Sequence, residues 1–417
     1  MPSDLIQRFA SRVVLEALAE SRVVGLVGPR QSGKSTLARD IIAPRWKAEY
    51  HTLDDEGTRE AAREDPTGFV ERIRGSAIID EIQRAPDLML TIKARVDRSN
   101  EPGQFLITGS ANLQRIAKVQ DSLPGRVDYI PLWPLSQAEI EHGSDGLLND
   151  LLLGSIPDRR GAVIGSASYL ERFAAGGFPG VFRRSNSARR RFFDGYVEAI
   201  VERDVADLIH LRAPEGPGKL LRLVAGRSAG LLNASSLARD LQVSEKTVAS
   251  HFKILEDLML VRRHPPWFAN LGSRETKSPK AYVADAGLMA TLVGASAAGI
   301  ETNPTLTGSF LETAVVMELV RLAATADEHV GFFHYRDNKQ REVDLILERP
   351  DRSIVGIEVK AGASASRRDF GTLAYLRDRL GTRFTAGIVF NTGEQTLLFG
   401  DRLAAVPIAA LWTPDQP

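Results

Sequence analysis

The stretch Leu26-Val27-Gly28-Pro29-Arg30-Gln31-Ser32-Gly33-Lys34-Ser35-Thr36 decides how the first part of this chain folds. An apolar run enters a loop that carries glycine at both ends and closes on Lys-Ser, the spacing G-x-x-x-x-G-K-[ST]. In that pattern backbone N–H groups cradle phosphates, the lysine reaches the outer phosphates and the hydroxyl helps hold magnesium. Gly28, Pro29, Arg30, Gln31, Ser32, Gly33, Lys34, Ser35 and Thr36 are therefore candidate contacts to ATP, with Ser35 a candidate magnesium ligand. Val23 to Val27 reads as a buried strand and Ser35 to Asp40 as the opening of a helix, so strand, loop and helix follow in the required order.

Moving outward, Ala77-Ile78-Ile79-Asp80-Glu81-Ile82-Gln83 is a second buried strand that ends in two adjacent carboxylates. Beside a phosphate loop, Asp80 can orient magnesium and Glu81 can polarise an attacking water. Neither the strand nor the loop specifies hydrolysis alone; in this order they are two parts of one machine. Asp54 and Asp55 end an earlier strand, and a solvated loop suits them better than a magnesium contact. Gly103 to Ser110 is a further strand tipped by hydroxyls, where Ser110 or Thr108 can hold water or report on the γ-phosphate, or serve only to cap Ala111-Asn112-Leu113. Arg126 after Gly125, and Arg203 on a helix after Tyr196, are candidate arginine fingers, in cis or from a neighbouring subunit. The strand-helix alternation from residue 21 to 135 predicts a three-layer α/β domain.

The chain has 417 residues, enough for several domains, and its 53 basic and 53 acidic side chains cancel. Nucleic-acid binding would thus depend on local patches. With no cysteine, disulfide scaffolds, thiol chemistry and cysteine metal sites are excluded, in keeping with a cytoplasmic protein. The N-terminus does not read as a secretory signal, and no apolar run approaches the roughly 20 residues of a membrane span.

Further along, residues 141–167 are glycine-rich connection with one short apolar helix at Leu147 to Leu153, and helical patterning follows from Tyr169. Arg183, Arg184, Arg189, Arg190 and Arg191 form a basic cluster suited to phosphates or to a solvated helix face. Around residues 235–263 a helix capped by Ser235, a turn at Val243-Ser244 and a helix capped by Ser244 make a helix-turn-helix. Lys246, Thr247, Ser250 and Lys253 on its outer face suit a major groove. The stretch Arg262 to Trp267, with Arg274, Lys277 and Lys280, resembles a long wing, in which Trp267 either stacks on a base or packs against the domain.

The last part alternates a helix from Phe310, a strand from Phe332, and strands carrying Asp344 and Glu358-Val359-Lys360. Glu358 and Lys360 are two apart on a strand and share a face. With Asp344 turned the same way and Glu312 on the preceding helix, the carboxylates can bind magnesium and Lys360 can activate water for phosphodiester cleavage.

The phosphate loop, Ile79-Asp80-Glu81-Ile82-Gln83, Leu106-Ile107-Thr108-Gly109-Ser110, Leu123-Pro124-Gly125-Arg126, Pro131 to Ser136, Gly176-Gly177-Phe178-Pro179 and Glu202-Arg203-Asp204-Val205 together resemble the bacterial and archaeal AAA+-like ATPases that carry a C-terminal domain of unknown function. The resemblance covers nearly the whole chain. It implies an AAA-type ATP-binding domain over residues 1–140, a helical segment over 141–225, a winged helix over 226–300 and a restriction-endonuclease-like α/β domain over 301–417. Within the family pattern the loop residues, Asp80, Glu81 and Ser110 correspond to nucleotide-site positions and Arg126 to a Gly-Arg element. The D…E-x-K set of Asp344, Glu358 and Lys360 is similar to the restriction-endonuclease-like superfamily. The resulting expectation is an ATP- and magnesium-using switch acting on DNA, with an ATP-dependent nuclease and an ATP-gated protein scaffold as alternatives; oligomeric state is not legible.

Overall fold

The computed structural model describes residues 5–110, 125–156, 164–200, 216–268 and 278–413. Two compact units result: Met1–Leu135 with Asp257–Met259, and Ser136–Glu256 with Leu260–Pro417.

The first unit is built on a five-stranded parallel sheet of β1 (Val23–Gly28), β2 (Glu49–Thr52), β3 (Ala77–Asp80), β4 (Phe105–Ser110) and β5 (Val127–Pro131), ordered β2-β3-β4-β1-β5. Strands covered on both faces need apolar side chains at every position, which is why Val-Val-Gly-Leu-Val reads as an unbroken apolar run. Alternation then divides each strand between two cores. Val23, Val27, Ala77, Ile79, Phe105 and Ile107 face one way, against Leu88, Met89, Ile92 and Val96. Val24, Leu26, Ile78 and Leu106 face the other, against Val14, Leu18, Leu37 and Ile41. The covering helices are α1 (Ala10–Glu20), α2 (Lys34–Thr36) continuing through a π-turn at Leu37–Ile42 into α3 (Ala43–Trp46), α4 (Glu56–Glu64), α5 (Pro66–Arg72) and α6 (Leu88–Arg98). Each fully buried aliphatic or aromatic side chain contributes about 1.5–3 kcal/mol, so this double core holds the strand ends where the site is assembled. Asp54 and Asp55 serve structure here: Asp54 pairs with Arg84 at 2.6 Å and Asp55 caps α4 by accepting the Thr58 N–H at 2.8 Å.

The second unit opens with α7 (Gln137–Ile140), α8 (Leu147–Leu152), α9 (Ser166–Ala175), α10 (Asn186–Ala199) and α11 (Gly216–Ala225). Phe178, Phe193 and Tyr196 pack edge to face beside α10. Next come β6 (Gly230–Leu231), α12 (Ala234–Leu241), α13 (Glu245–Asp257), β7 (Val261–His264) and β8 (Lys280–Val283), with the strands in an antiparallel sheet ordered β6-β8-β7. The cap of α12 is Asn233, whose side chain accepts the Ser236 N–H, and not Ser235, which hydrogen-bonds to that same Asn233. Thr247 N–H donates to Ser244 at the start of α13, at 3.1 Å.

After α14 (Ala286–Leu292) and α15 (Ala297–Glu301), α16 (Pro304–Ala323) leads into a six-stranded mixed sheet. It comprises β9 (Gly331–Arg336), β10 (Glu342–Glu348), β11 (Ile354–Val359), β12 (Phe384–Asn391), β13 (Leu397–Leu398) and β14 (Leu403–Pro407), ordered β13-β14-β12-β11-β10-β9. The first three form an antiparallel meander; α17 (Gly371–Leu380) then returns the chain so that β12 pairs parallel to β11. Among the described residues no helix is long and apolar enough to cross a membrane.

Candidate functional site

The loop leaves β1 at Gly28 and closes through two left-handed residues, Gln31 (φ 61°) and Gly33 (φ 97°). At Gly28 a side chain has no room, since its Cβ would lie 2.2 Å from the Leu132 carbonyl oxygen. Lys34 is buried, its ammonium donating to the carbonyls of Gly28 at 3.1 Å and Pro29 at 2.9 Å. Pro29 and Ser32 are likewise buried, Arg30, Gly33 and Ser35 half-buried, and Gln31 and Thr36 exposed. Arg8, on the segment before α1, grips the loop from behind: its guanidinium donates to the Ser32 carbonyl at 2.8 Å and the Trp133 carbonyl at 2.7 Å.

Parallel pairing of β1, β3 and β4 brings their C-terminal ends to this loop. Asp80, almost wholly buried, gathers four hydroxyls: Ser35 at 3.1 Å and Thr108 on one oxygen, Tyr50 at 2.8 Å and Thr52 at 3.4 Å on the other. Burial, followed by the charge of Asp80, pushes the Tyr50 phenol well up from its ordinary value, so it stays a donor. Glu81 has left-handed backbone (φ 60°, ψ 43°), its N–H donates to Thr108 Oγ1 at 3.1 Å, and its carboxylate accepts from Gln83 Nε2. Ser110 ends β4 opposite Gly28 and is buried. The arrangement can hold a triphosphate on the loop, a hard cation between the oxygens of Ser35 and Asp80, and a water beside Glu81.

The two arginines fare differently. Val127 pairs with Val23 at the start of β1, whereas the loop leaves from Gly28. At about 3.3 Å per strand residue, Arg126, one residue before Val127, is about 20 Å along the sheet from its own loop. There it forms an ion pair with Asp97 at 2.5 Å. The sheet itself therefore keeps Arg126 from acting in cis. Arg203 lies outside the described residues.

In the C-terminal sheet, Asp344 and Glu312 do come together, but on a cation supplied by the protein. The Lys280 ammonium, 3% exposed, donates to Glu312 at 2.9 Å and Asp344 at 3.0 Å and pairs with Glu342 at 3.0 Å. Tyr282 adds its hydroxyl to Glu312 at 2.8 Å, and the second Asp344 oxygen takes the Val359 N–H at 3.0 Å. Glu358 is paired with Lys360 at 3.0 Å. Burial, and then the charge of Asp344, raise the Glu312 carboxyl to about 7 and that of Glu358 to about 8. Burial draws the Lys280 ammonium down, but Asp344, Tyr282, Glu312 and Glu342 more than offset it and hold the group well above its usual value. Among the described residues no three His, Asp or Glu side chains are grouped to hold a metal. An ammonium, that of Lys280, thus lies between Glu312 and Asp344, while Glu358 is engaged by Lys360.

Lys280 is accordingly no part of an exposed wing. Trp267 is also buried, in the core with Val343, Leu373 and Phe384, so it does not stack on a base. Arg262 lies over the Phe332 ring and Arg263 pairs with Glu256, so both are engaged internally. Lys246, Ser250 and Lys253 remain exposed along α13, and Thr247 is half-buried.

Comparison with known proteins places the chain. Residues 20–141 match the model of an AAA domain, 166–299 a domain of unknown function (DUF8612) and 307–411 another (DUF4143). Over 365 residues the chain is 32% identical to two uncharacterized proteins, Rv2008c of Mycobacterium tuberculosis and Mb2031c of Mycobacterium bovis, an alignment covering 86% of this chain and 75% of each relative. This chain belongs to their family. Its N-terminal part is an AAA-type ATPase domain with an α/β P-loop fold. Two solved structures are also similar: a single-substitution variant of Thermotoga maritima RuvB (18% identity, TM-score 0.28, 61% of this chain and 88% of that one) and the S. cerevisiae Hsp104-ADP complex (14%, 0.27, 78% and 44%). Scores this low carry no argument.

Within the AAA domain, sequence reasoning missed Arg8, Tyr50, Thr52 and the tie from Gln83 to Glu81. Arg8 had no signal, being separated by 24 residues from the loop it holds. Gln83 had one, its place two residues after Glu81.

Proposed function

We propose that this protein is an ATP-driven switch whose AAA domain binds and hydrolyses ATP with magnesium and couples nucleotide state to a winged helix and a C-terminal domain acting on DNA. The observation that carries the reading is the meeting of Ser35, Asp80, Thr108 and Glu81 at one end of a parallel sheet. Ser35 Oγ and Asp80 Oδ1, 3.1 Å apart, are hard oxygen donors of the kind magnesium takes. When bound, that ion supplies positive charge to the outer phosphates. The loop N–H groups and Lys34 hold the phosphates in place. Tyr50, Thr52 and Thr108 fix Asp80. Glu81 accepts a proton from water as the water oxygen bonds to the γ-phosphorus; the bond to the bridging oxygen breaks, and ADP and phosphate leave. Arg126, kept from its own loop, is assigned to a neighbouring subunit's site, which makes hydrolysis depend on self-association.

Contact with DNA is supported by the exposed Lys246, Ser250 and Lys253 on α13 within a helix-turn-helix followed by a small sheet. A helix followed by three antiparallel strands, a crossover helix and a parallel strand supports the restriction-endonuclease-like reading of the last domain. The Lys280 ammonium counts against the nuclease alternative, since it already pairs with Glu312 and Asp344. Magnesium-dependent DNA cleavage that disappears in Asp344→Ala would reinstate it, and absence of DNA binding at low salt would favour a protein scaffold.

The deciding experiment is Glu81→Gln in the full chain. Hydrolysis is expected to slow by about 10²–10⁴-fold while equilibrium ATP binding is retained. A normal rate would remove Glu81 as the base.

A further inference from the structure

Gln83 lies in the 3-10 turn Ile82–Arg84 directly after β3. Its Nε2 donates to Oε2 of Glu81, and its Oε1 is buried with no hydrogen-bond partner among the described groups. A buried amide oxygen ordinarily finds a donor. Glu81 is meanwhile fixed from the other side, because its N–H is held by Thr108 Oγ1 at 3.1 Å and Thr108 in turn binds Asp80. The left-handed backbone at Glu81 turns the chain sharply between the two anchors. The backbone is tied to β4 and the carboxylate to the turn that follows it.

This constraint has chemical value. A glutamate side chain has three rotatable bonds, whereas a general base must keep one oxygen within hydrogen-bond reach of the water it deprotonates. A carboxylate has about four acceptor positions, so the bond from Gln83 to one oxygen leaves the other open.

We propose that Gln83 is the positioning residue of the hydrolytic base: its Nε2 holds one oxygen of the Glu81 carboxylate, so that the other is presented to the water that Glu81 deprotonates. This rests on Glu81 being that base. A merely structural glutamine would tie the turn together and affect folding, with no preference for the chemical step.

The test uses the full chain as Gln83→Met, which keeps length and packing but loses both polar ends, together with Glu81→Gln and the double variant. Turnover, KM and equilibrium ATP affinity are measured for each, with Gln83→Glu as a second probe that keeps the shape and places like charges together. In Gln83→Met, kcat is expected to fall about 10²-fold, the cost of misplacing a reacting group by about 1 Å, with ATP affinity within about twofold of wild type. Gln83→Glu should lose turnover comparably. The double variant should be no slower than Glu81→Gln alone, because Gln83 acts through Glu81. Wild-type turnover in Gln83→Met, a double variant slowed by the product of the two single losses, or loss of ATP affinity in parallel with kcat would each overturn the proposal. Slow Glu81→Gln beside normal Gln83→Met defeats this inference alone; normal Glu81→Gln defeats the base and this inference together.

Discussion

Lys280 is the residue whose environment departs furthest from what its neighbours in sequence suggest. Among Arg262, Arg263, Arg274 and Lys277 it reads as one more surface cation, yet it is buried against Glu312 and Asp344. These partners lie 32 and 64 residues further along, and a four-residue strand carries no sign of them. Removing one member of a buried ion cluster leaves the other charges unpaired, typically at a cost of about 3–5 kcal/mol. Lys280→Met should therefore lower the unfolding free energy by that order, seen as a lower denaturant midpoint, and an unchanged midpoint would show the cluster to be energetically idle. The phosphate loop is the opposite case. Its spacing is local, so every residue from Gly28 to Thr36 could be named, whereas Arg8 and Tyr50 reach the site only through the fold.

Among elements, β7 and β9 are joined through Pro265-Pro266-Trp267, where Trp267 N–H donates to the His334 carbonyl at 2.6 Å and His334 N–H to that of Pro265 at 3.0 Å. Both strands bury a histidine. Burial, then the charge of Lys280, pushes the His334 imidazole down to about 4; burial, then Arg262, His334 and Lys280, pushes His264 well below its usual value. The folded state thus holds them neutral while the unfolded chain takes up protons near pH 6.5, so stability is lost as pH falls from there towards 4. Glu312 and Glu358, raised to about 7 and about 8, act oppositely, with stability lost as pH rises from the ordinary carboxylate range through those values. Comparing variants isolates the histidine: from pH 7 to 5, wild type should lose about 2 kcal/mol more than His334→Gln, read from denaturant midpoints. Equal losses would contradict a neutral buried His334.

Elements buried on both faces were the easiest to read, because β1, β3 and β4 need apolar side chains throughout. Caps and registers were harder. Asn233 and Ser235 are both good capping types, and only the extended backbone at Asn233 (φ −107°, ψ 96°) selects between them. The irregularity between Val343 and Ile346 in β10 resets the alternation around Asp344, which a period-two argument cannot anticipate.

For the whole molecule, membership of the family of the two relatives and the AAA domain point to ATP chemistry, and the proposed use of ATP is assigned to the second unit. The proposal that it holds DNA without cutting it draws on Lys246 and Lys253, exposed on α13, and on Lys280, which engages Glu312 and Asp344. The most direct test is ATP hydrolysis by the purified full chain, with and without double-stranded DNA at low salt, beside Lys34→Ala. The account predicts turnover by wild type that DNA changes several-fold and that Lys34→Ala abolishes together with ATP binding. Wild-type turnover no greater than that of Lys34→Ala would contradict it.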